Sequence, residues 1–543
     1  MSHQVRIGKP GVKRIDSTEA MGIPDESREW FVSWPPVVSF CSQLTVGGLV
    51  RVRGIHQAEL GSQVKALKLR AENALGAGCG QLVTSSGVAL NGDATLADVR
   101  VQEGDVLHLH VREIQIAATG SAFAALLGDG SVVTWGRPAS GGDSSAVQGQ
   151  LQNVGQICAA THAFAAILEK NGSVVTWGKG DCGGDSSAVQ EQLHEVQQIQ
   201  NSMGAFAALL RNGHVVTWGD SFSGGDSGAV QHQLLDVVSI KASGAAFAAI
   251  LGNGSAVAWG SSDHGGDNSA VQEQLQDVVD IQSTDRAFAA ILGNGRVVTW
   301  GSADYGGNSA AVQEQLRHVQ QIQASDCVFV AILTDGSAVA WGGFEFGGRR
   351  KVLASMELRQ RNVQHIQAST GAFAAMCADG SATAWGTTFG GGSMTQDRLK
   401  NVQQIQSSAH AFAALCGDGS VLTWGHPSFG GDSSRVQQEL RDVQQIQANR
   451  SAFAAIRRDG SVVTWGEHGG DSCAVQEHLQ QVVRIQASSR AFAAIRRDGR
   501  IVTWGDPSGG GDSSSVQDQL REHAQTAGEE APFGTEGPHE PCS

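Results

Sequence analysis

The segment Gly225-Asp226-Ser227-Gly228 sets a serine between a carboxylate and a glycine. Such a serine can act as a nucleophile when a base and an orienting carboxylate stand beside it. No such partners are indicated here. Its counterparts elsewhere read Gly-Asp-Ser-Ser, or degrade to Gly-Asn-Ser, Gly-Arg-Arg and Gly-Gly-Ser, so a repeated turn-and-cap explains it. Asp143, Asp185, Asp226, Asp267, Asp432, Asp471 and Asp512 hold one equivalent position, and a ring of carboxylates would attract cations. One acid per repeat, however, spaces neighbours too widely to share an ion, and capping is a sufficient task for an Asp there. Gly76-x-Gly78-x-Gly80 follows a predicted helix, the wrong context for a dinucleotide, and reads as a helix stop and loop. The nine cysteines are scattered with no C-x-x-C pair, which suggests neither zinc site nor disulfide framework and points to a reduced compartment. No catalytic, metal or cofactor site is therefore expected.

These motifs ride on a repeat. Ten tryptophans, from Trp135 to Trp504, recur at steps of 39 to 44 residues, and a period near forty marks units that bury their apolar faces only by stacking on neighbours. The fifth unit is typical. An apolar stretch around Val278 to Ile281 leads to Ala287-Phe288-Ala289-Ala290-Ile291-Leu292, then Asn294-Gly295, then Val297-Val298-Thr299-Trp300-Gly301. The reading is strand, strand, hairpin, strand, and the Asn-Gly or Asp-Gly in every unit predicts a type I′ turn. The connector Gly-Gly-Asp-Ser-Ser-Ala-Val-Gln-x-x-Leu, as at Gly141 to Leu151, predicts a turn and a short helix with Ser145 and Gln148 as a capping box. Small antiparallel meanders of this kind pack radially as propeller blades. The Ala-rich strand is expected to line the axis, with Phe and Trp between blades.

The order V-x-x-I-x-A, A-F-A-A-I, D-G-S-V-V-T-W-G, G-G-D-S-S resembles the repeats of the regulator of chromosome condensation family and, in their shortness, those of β-lactamase inhibitor protein II. The resemblance covers about Ile114 to Leu520. It implies a mainly β fold, a β-propeller of about ten short three-stranded repeats, where the family usually closes seven blades. Closed ring, open spiral and a ring with extra units all stay open.

Before the repeats, Val37 to Leu44 and Leu49 to Ile55 read as strands, Gly61 to Ala74 as a helix, Gln81-Leu82-Val83 as a strand, and Thr95 to Val111 as a turn and final strand. This order resembles a small α+β ubiquitin-like β-grasp domain. Two features depart from that family: the last strand runs through Val111-Arg112-Glu113 into the repeats without a terminal Gly-Gly, and Thr84 and His110 stand where aliphatic residues are usual. The expected organisation is a disordered leader over 1–36, the ubiquitin-like domain over 37–113, the propeller over 114–523 and a disordered tail over 524–543.

A net charge of −15 argues against nucleic acid as the main partner. No apolar run approaches a membrane span, and Met1 to Arg14 does not read as a signal peptide, so cytoplasm and/or nucleus is expected.

Topology places the loop before A-F-A-A and the loop after Trp-Gly on one face, and there the sequence stops repeating. That variable rim supplies the candidate partner-binding residues His162, Phe222, Arg286, Tyr305, Phe344, Phe346, Phe389, His410, Phe429 and Arg490. Aromatic residues and arginine are the chemistry of protein interfaces. The expected function is a non-enzymatic scaffold or adaptor, its rim holding a protein client and its ubiquitin-like domain reaching ubiquitin or proteasome machinery. Two alternatives come from resemblance. One is a relative of a HERC-type ubiquitin ligase without its catalytic domain, since only a polar tail with Cys542 follows Leu520. The other is nucleotide exchange on a small GTPase, or chromatin binding, as in the chromosome-condensation family.

Overall fold

The structure is a computed structural model that describes residues 113–343, 363–392 and 399–522, together with shorter stretches between 30 and 111. The chain divides into two units, an N-terminal one and a repeat unit that takes in everything from His110 onward.

In the repeat unit, ten separate three-stranded antiparallel sheets follow one another, each with its strands side by side in chain order. Blade 5 consists of an inner strand Val278–Ser283, a middle strand Ala287–Leu292 and an outer strand Val297–Gly301. The register sets Phe288 opposite Trp300, and the two rings stack 5.3 Å apart. The same Phe–Trp pair stacks in all ten blades. One face of each sheet thus carries large rings and the other small methyls. Ala246, Ala248 and Ile250 of blade 4 meet Phe288, Val298 and Trp300 of blade 5, all buried. Large against small across each interface is what allows close packing without voids.

The ring closes. Among the described residues, nine of the ten indoles reach back to the preceding blade, as Trp300 Nε1 does to Gly265 O at 2.9 Å, and Trp135 of blade 1 makes the same bond at 3.1 Å to Gly510, which follows blade 10. Ile116, Phe123 and Trp135 share a buried cluster with Ala491, Ile495 and Ile501. Closure is by side-chain packing and indole bonds, not by a continuous sheet. Gly265 itself is required. Its φ is +88°, and a Cβ there would lie 2.7 Å from the Phe288 ring.

Three expectations are corrected. The Ala-rich strand is the middle strand of each sheet. The strands that touch from blade to blade around the axis are the inner ones, of the type Val319–Ala324. The reason is that a middle strand is sandwiched by both neighbouring blades, and crowding of that kind demands alanine at any radius. The hairpins are also not type I′, because only the glycine has positive φ, as at Gly130 (+82°). Gly130 N bonds Leu127 O at 2.9 Å, and Asp129 Oδ1 accepts from Ser131 N at 3.0 Å and Ser131 Oγ at 2.6 Å. This is a turn followed by one left-handed residue, the three-residue class of hairpin, held by its own Asp.

The capping box is replaced by a buried clasp. Ser144 Oγ donates to Gln148 Oε1 at 2.8 Å, Gln148 Nε2 donates to Val132 O at 2.9 Å, and Ser144 shares a further bond with Thr134 at 2.9 Å. The connector is thereby tied to its own outer strand. Asp143 Oδ1 accepts from Ser145 N at 2.9 Å, and the equivalent acids do likewise in six further connectors.

The N-terminal unit contains Trp30–Val32, Val38–Cys41, Gly48–Arg51, Gly80–Thr84 and Val106–Val111, in the sheet order first, second, third, fifth, fourth. Gly48–Arg51 runs antiparallel to Val106–Val111. A β-grasp instead pairs the first strand of its hairpin in parallel with the last. The extra strand Trp30–Val32 extends the meander on its far side. The Thr95–Asp98 turn has the expected form: Asp98 Oδ2 accepts from Thr95 N (3.0 Å) and Oγ1 (2.7 Å), and Asp98 N donates to Thr95 Oγ1 at 3.2 Å. No helix among the described residues is long and apolar enough to cross a membrane.

Candidate partner-binding face

In nine of the ten blades one backbone bond brings the two variable positions together. Ser302 N donates to Arg286 O at 2.9 Å, His426 N to His410 O at 2.9 Å and Asp506 N to Arg490 O at 3.1 Å. The loop before each middle strand and the loop after each Trp-Gly therefore lie on one face. The hairpins lie at the other end, stitched to the next blade as Val278 N is to Gly254 O at 2.8 Å.

A second repeated device fixes the variable loops. A buried hydroxyl at the end of the inner strand donates to a carbonyl in the loop beyond Trp-Gly: Ser243 to His264 O (2.8 Å), Thr284 to Tyr305 O (2.8 Å) and Ser408 to Phe429 O (2.8 Å). In blade 9 an amide takes over, Asn449 Nδ2 donating to His468 O at 2.7 Å. The backbone at these sites is held by repeated residues while the side chain is free to differ. Ligand-contacting loops on a rigid support are built this way.

The side chains gather into two groups. Across blades 3 to 5, Phe222 is 61% exposed and Met203 53%. The Phe222 ring meets His264 edge-on at 5.9 Å, His264 Nδ1 bonds Ser261 Oγ at 3.0 Å, and the Arg286 guanidinium lies 5.0 Å over the Tyr305 ring. Burial, followed by the Arg286 charge, holds His264 below the ordinary imidazole value. Across blades 7 and 8, Phe389 (55% exposed) packs edge-on against His410 and His426, each at 4.6 Å. His410 meets Phe429 at 4.5 Å. The Nδ1 atoms of both histidines are buried and without a hydrogen-bond partner. Burial, then the neighbouring His426 and Arg450, lowers the His410 pKa, against a smaller opposite pull from Asp326.

Of the other residues expected on the rim, His162 Nδ1 bonds Ser140 Oγ at 3.2 Å and Arg490 pairs with Asp506 at 3.5 Å. Phe344 and Phe346 lie outside the described residues. Met203 and His426 were missed. His426 directly follows Trp424-Gly425, where Arg137 and Lys179 stand in other blades, and that position was a sufficient signal. Ser227 is buried, its hydroxyl donating to Gln231 Oε1 at 2.7 Å and bonded to Thr217 at 2.9 Å. That is the clasp again, and it leaves the oxygen committed to structure.

No family model matches the chain, and no curated protein matches it. Among solved structures it is similar to Prp20p from Saccharomyces cerevisiae, described with its binding properties to Gsp1p and histones, at 16% identity over 44% of this chain and 74% of that one, TM-score 0.28. It is also similar to the CRINKLY WD40 ectodomain of the receptor kinase ACR4 from Arabidopsis thaliana, at 16% identity, 48% and 90% coverage and TM-score 0.27. A third is human WBSCR16, at 14% identity, 66% and 77% coverage and TM-score 0.24. Similarity at this level carries no argument about activity, and the fold rests on the ten sheets themselves.

Proposed function

We propose that the protein is a non-enzymatic interaction scaffold of the cytoplasm and/or nucleus whose variable face holds a protein client. The observation that supports this most is the pairing of a fixed backbone with unlike side chains: Ser243, Thr284 and Ser408 hold equivalent carbonyls whose residues are His264, Tyr305 and Phe429. Exposed aromatic residues on such a support are the usual anchors of protein recognition. The N-terminal segment is proposed to reach ubiquitin-pathway or proteasomal machinery; that part rests on the sequence resemblance, from which the antiparallel pairing of Gly48–Arg51 with Val106–Val111 departs.

The test is affinity capture from native extract with the full chain, wild type against Phe222→Ala/Phe389→Ala, read by quantitative mass spectrometry. A partner retained by the wild type and lost from the variant, with the melting temperature kept, supports the scaffold. Identical captures would sink it. A ligase partner, or a small GTPase or histones, would direct the reading toward the HERC-like or chromosome-condensation alternatives.

A further inference from the structure

Around the axis, the turns between inner and middle strands are joined from blade to blade by backbone bonds. Gly244 N donates to Asp285 O and Asp285 N to Asp326 O, both at 2.9 Å; Thr370 N donates to Ala409 O and Ala409 N to Arg450 O, both at 3.0 Å. Among the described residues the bond is missing between Thr161 and Met203 and between Ser489 and Gly120, and it is missing between Asp326 and Thr370. At that break the axial wall of blades 6 to 8 holds a recess of about 300 Å³, lined among others by Gln323, Asp326, His365, Gln367, Thr370 and Ser408.

The lining is polar: the Asp326 carboxylate, the Gln323 and Gln367 amides and the Thr370 hydroxyl line it, while the Ser408 hydroxyl is already bonded to Phe429 O and Ala411 N. Asp326 is exposed, and neither it nor the half-buried Asp285 beside it makes an ion pair among the described residues. Burial and the charge of Asp326 together raise the Asp285 pKa, with Arg286 acting the other way. Arg286 itself lies over Tyr305. The recess thus sets a carboxylate that makes no ion pair among the described residues beside neutral polar groups. A guanidinium carries one positive charge and five planar donors, which matches a carboxylate flanked by amide and hydroxyl oxygens better than an ammonium does.

We propose that this recess receives an arginine side chain projected by the protein client. The inference rests on the scaffold reading and adds the chemistry of the client: an arginine at the axis, with apolar contacts further out on Phe222 and Phe389.

The experiment uses the full chain and two probes, acetyl-Gly-Arg-Gly-amide and its citrulline twin, with binding followed by ligand-observed NMR at low salt. The arginine peptide is expected to bind, the citrulline peptide about tenfold more weakly, as loss of a charge-assisted pair implies. Asp326→Asn should reduce arginine-peptide binding about tenfold, while Arg211→Gln, on the hairpin face, should leave it unchanged. A thermal melt of Asp326→Asn checks that the ring is intact. No binding, equal binding of the two peptides, or full binding by Asp326→Asn would overturn the proposal. If the recess fails in this way while Phe222→Ala/Phe389→Ala still loses the captured client, the scaffold reading stands without it.

Discussion

Trp300 joins two kinds of stabilisation in one residue, an apolar body stacked on Phe288 and an indole N–H bonded to the preceding blade. Trp300→Ala is expected to cost about 3–5 kcal/mol, as large core truncations do. Trp300→Phe keeps much of the apolar body and loses the bond, and should cost clearly less in the same denaturant titration. His410 gives a prediction of a different kind. The groups that act on it are His426, Arg450 and Asp326, and burial favours its neutral form, so its folded pKa lies below the ordinary 6.5. As pH falls through 6.5 and on to the folded value, the unfolded chain takes up a proton that the folded one resists, and stability falls. Between about pH 7.5 and about pH 5.5 the wild type should lose more melting temperature than His410→Phe, which keeps a ring there and cannot titrate.

At the scale of the element, the clasp makes a sharper prediction because one blade has re-engineered it. Blade 4 has Ala258 where seven blades have the clasp threonine, as blades 6 and 7 have Ala340 and Ala384, and it has Asn268 where those seven blades have the serine. Asn268 Nδ2 reaches Ala256 O at 3.1 Å, beside the bond from Gln272. Asn268→Ser alone should destabilise by about 1–2 kcal/mol, leaving polar groups short of partners, and Ala258→Thr together with it should restore much of the loss. A double-mutant cycle by chemical denaturation reads this directly. The connector acids add a pH limit: the bond from a backbone amide holds Asp143, Asp185 and Asp432 below the ordinary carboxylate value. Their contribution is complete above that value and disappears as pH falls through the lowered ones. Much of the element structure was legible in sequence, because Trp spacing and Asp-Gly pairs are dictated by local geometry. The clasp was not, since Ser144 and Ser145 differ only in which one points inward, and that is fixed by Thr134 across the blade. Nor was the radial order of the strands, because burial at an interface between blades looks the same in sequence at every distance from the axis.

For the whole molecule, ring closure and display of the variable face are one property. Ten blades close only if blade 10 meets blade 1 as every other pair meets, and the Trp135–Gly510 bond and its shared core meet that condition. Among the described residues, rim loops then meet fixed neighbours, and Phe389 lies against His426 and Phe429 of the following blade. These contacts between blades explain why the sequence located the face but not the grouping on it. Which residues meet depends on the angle between blades, and no single repeat encodes that angle. The measurement that bears most directly on the central claim is capture of the client by the full chain, wild type against Phe222→Ala/Phe389→Ala, alongside melting curves for both. The account predicts loss of the client with the melting temperature nearly unchanged. Undiminished capture by a stably folded variant would contradict it.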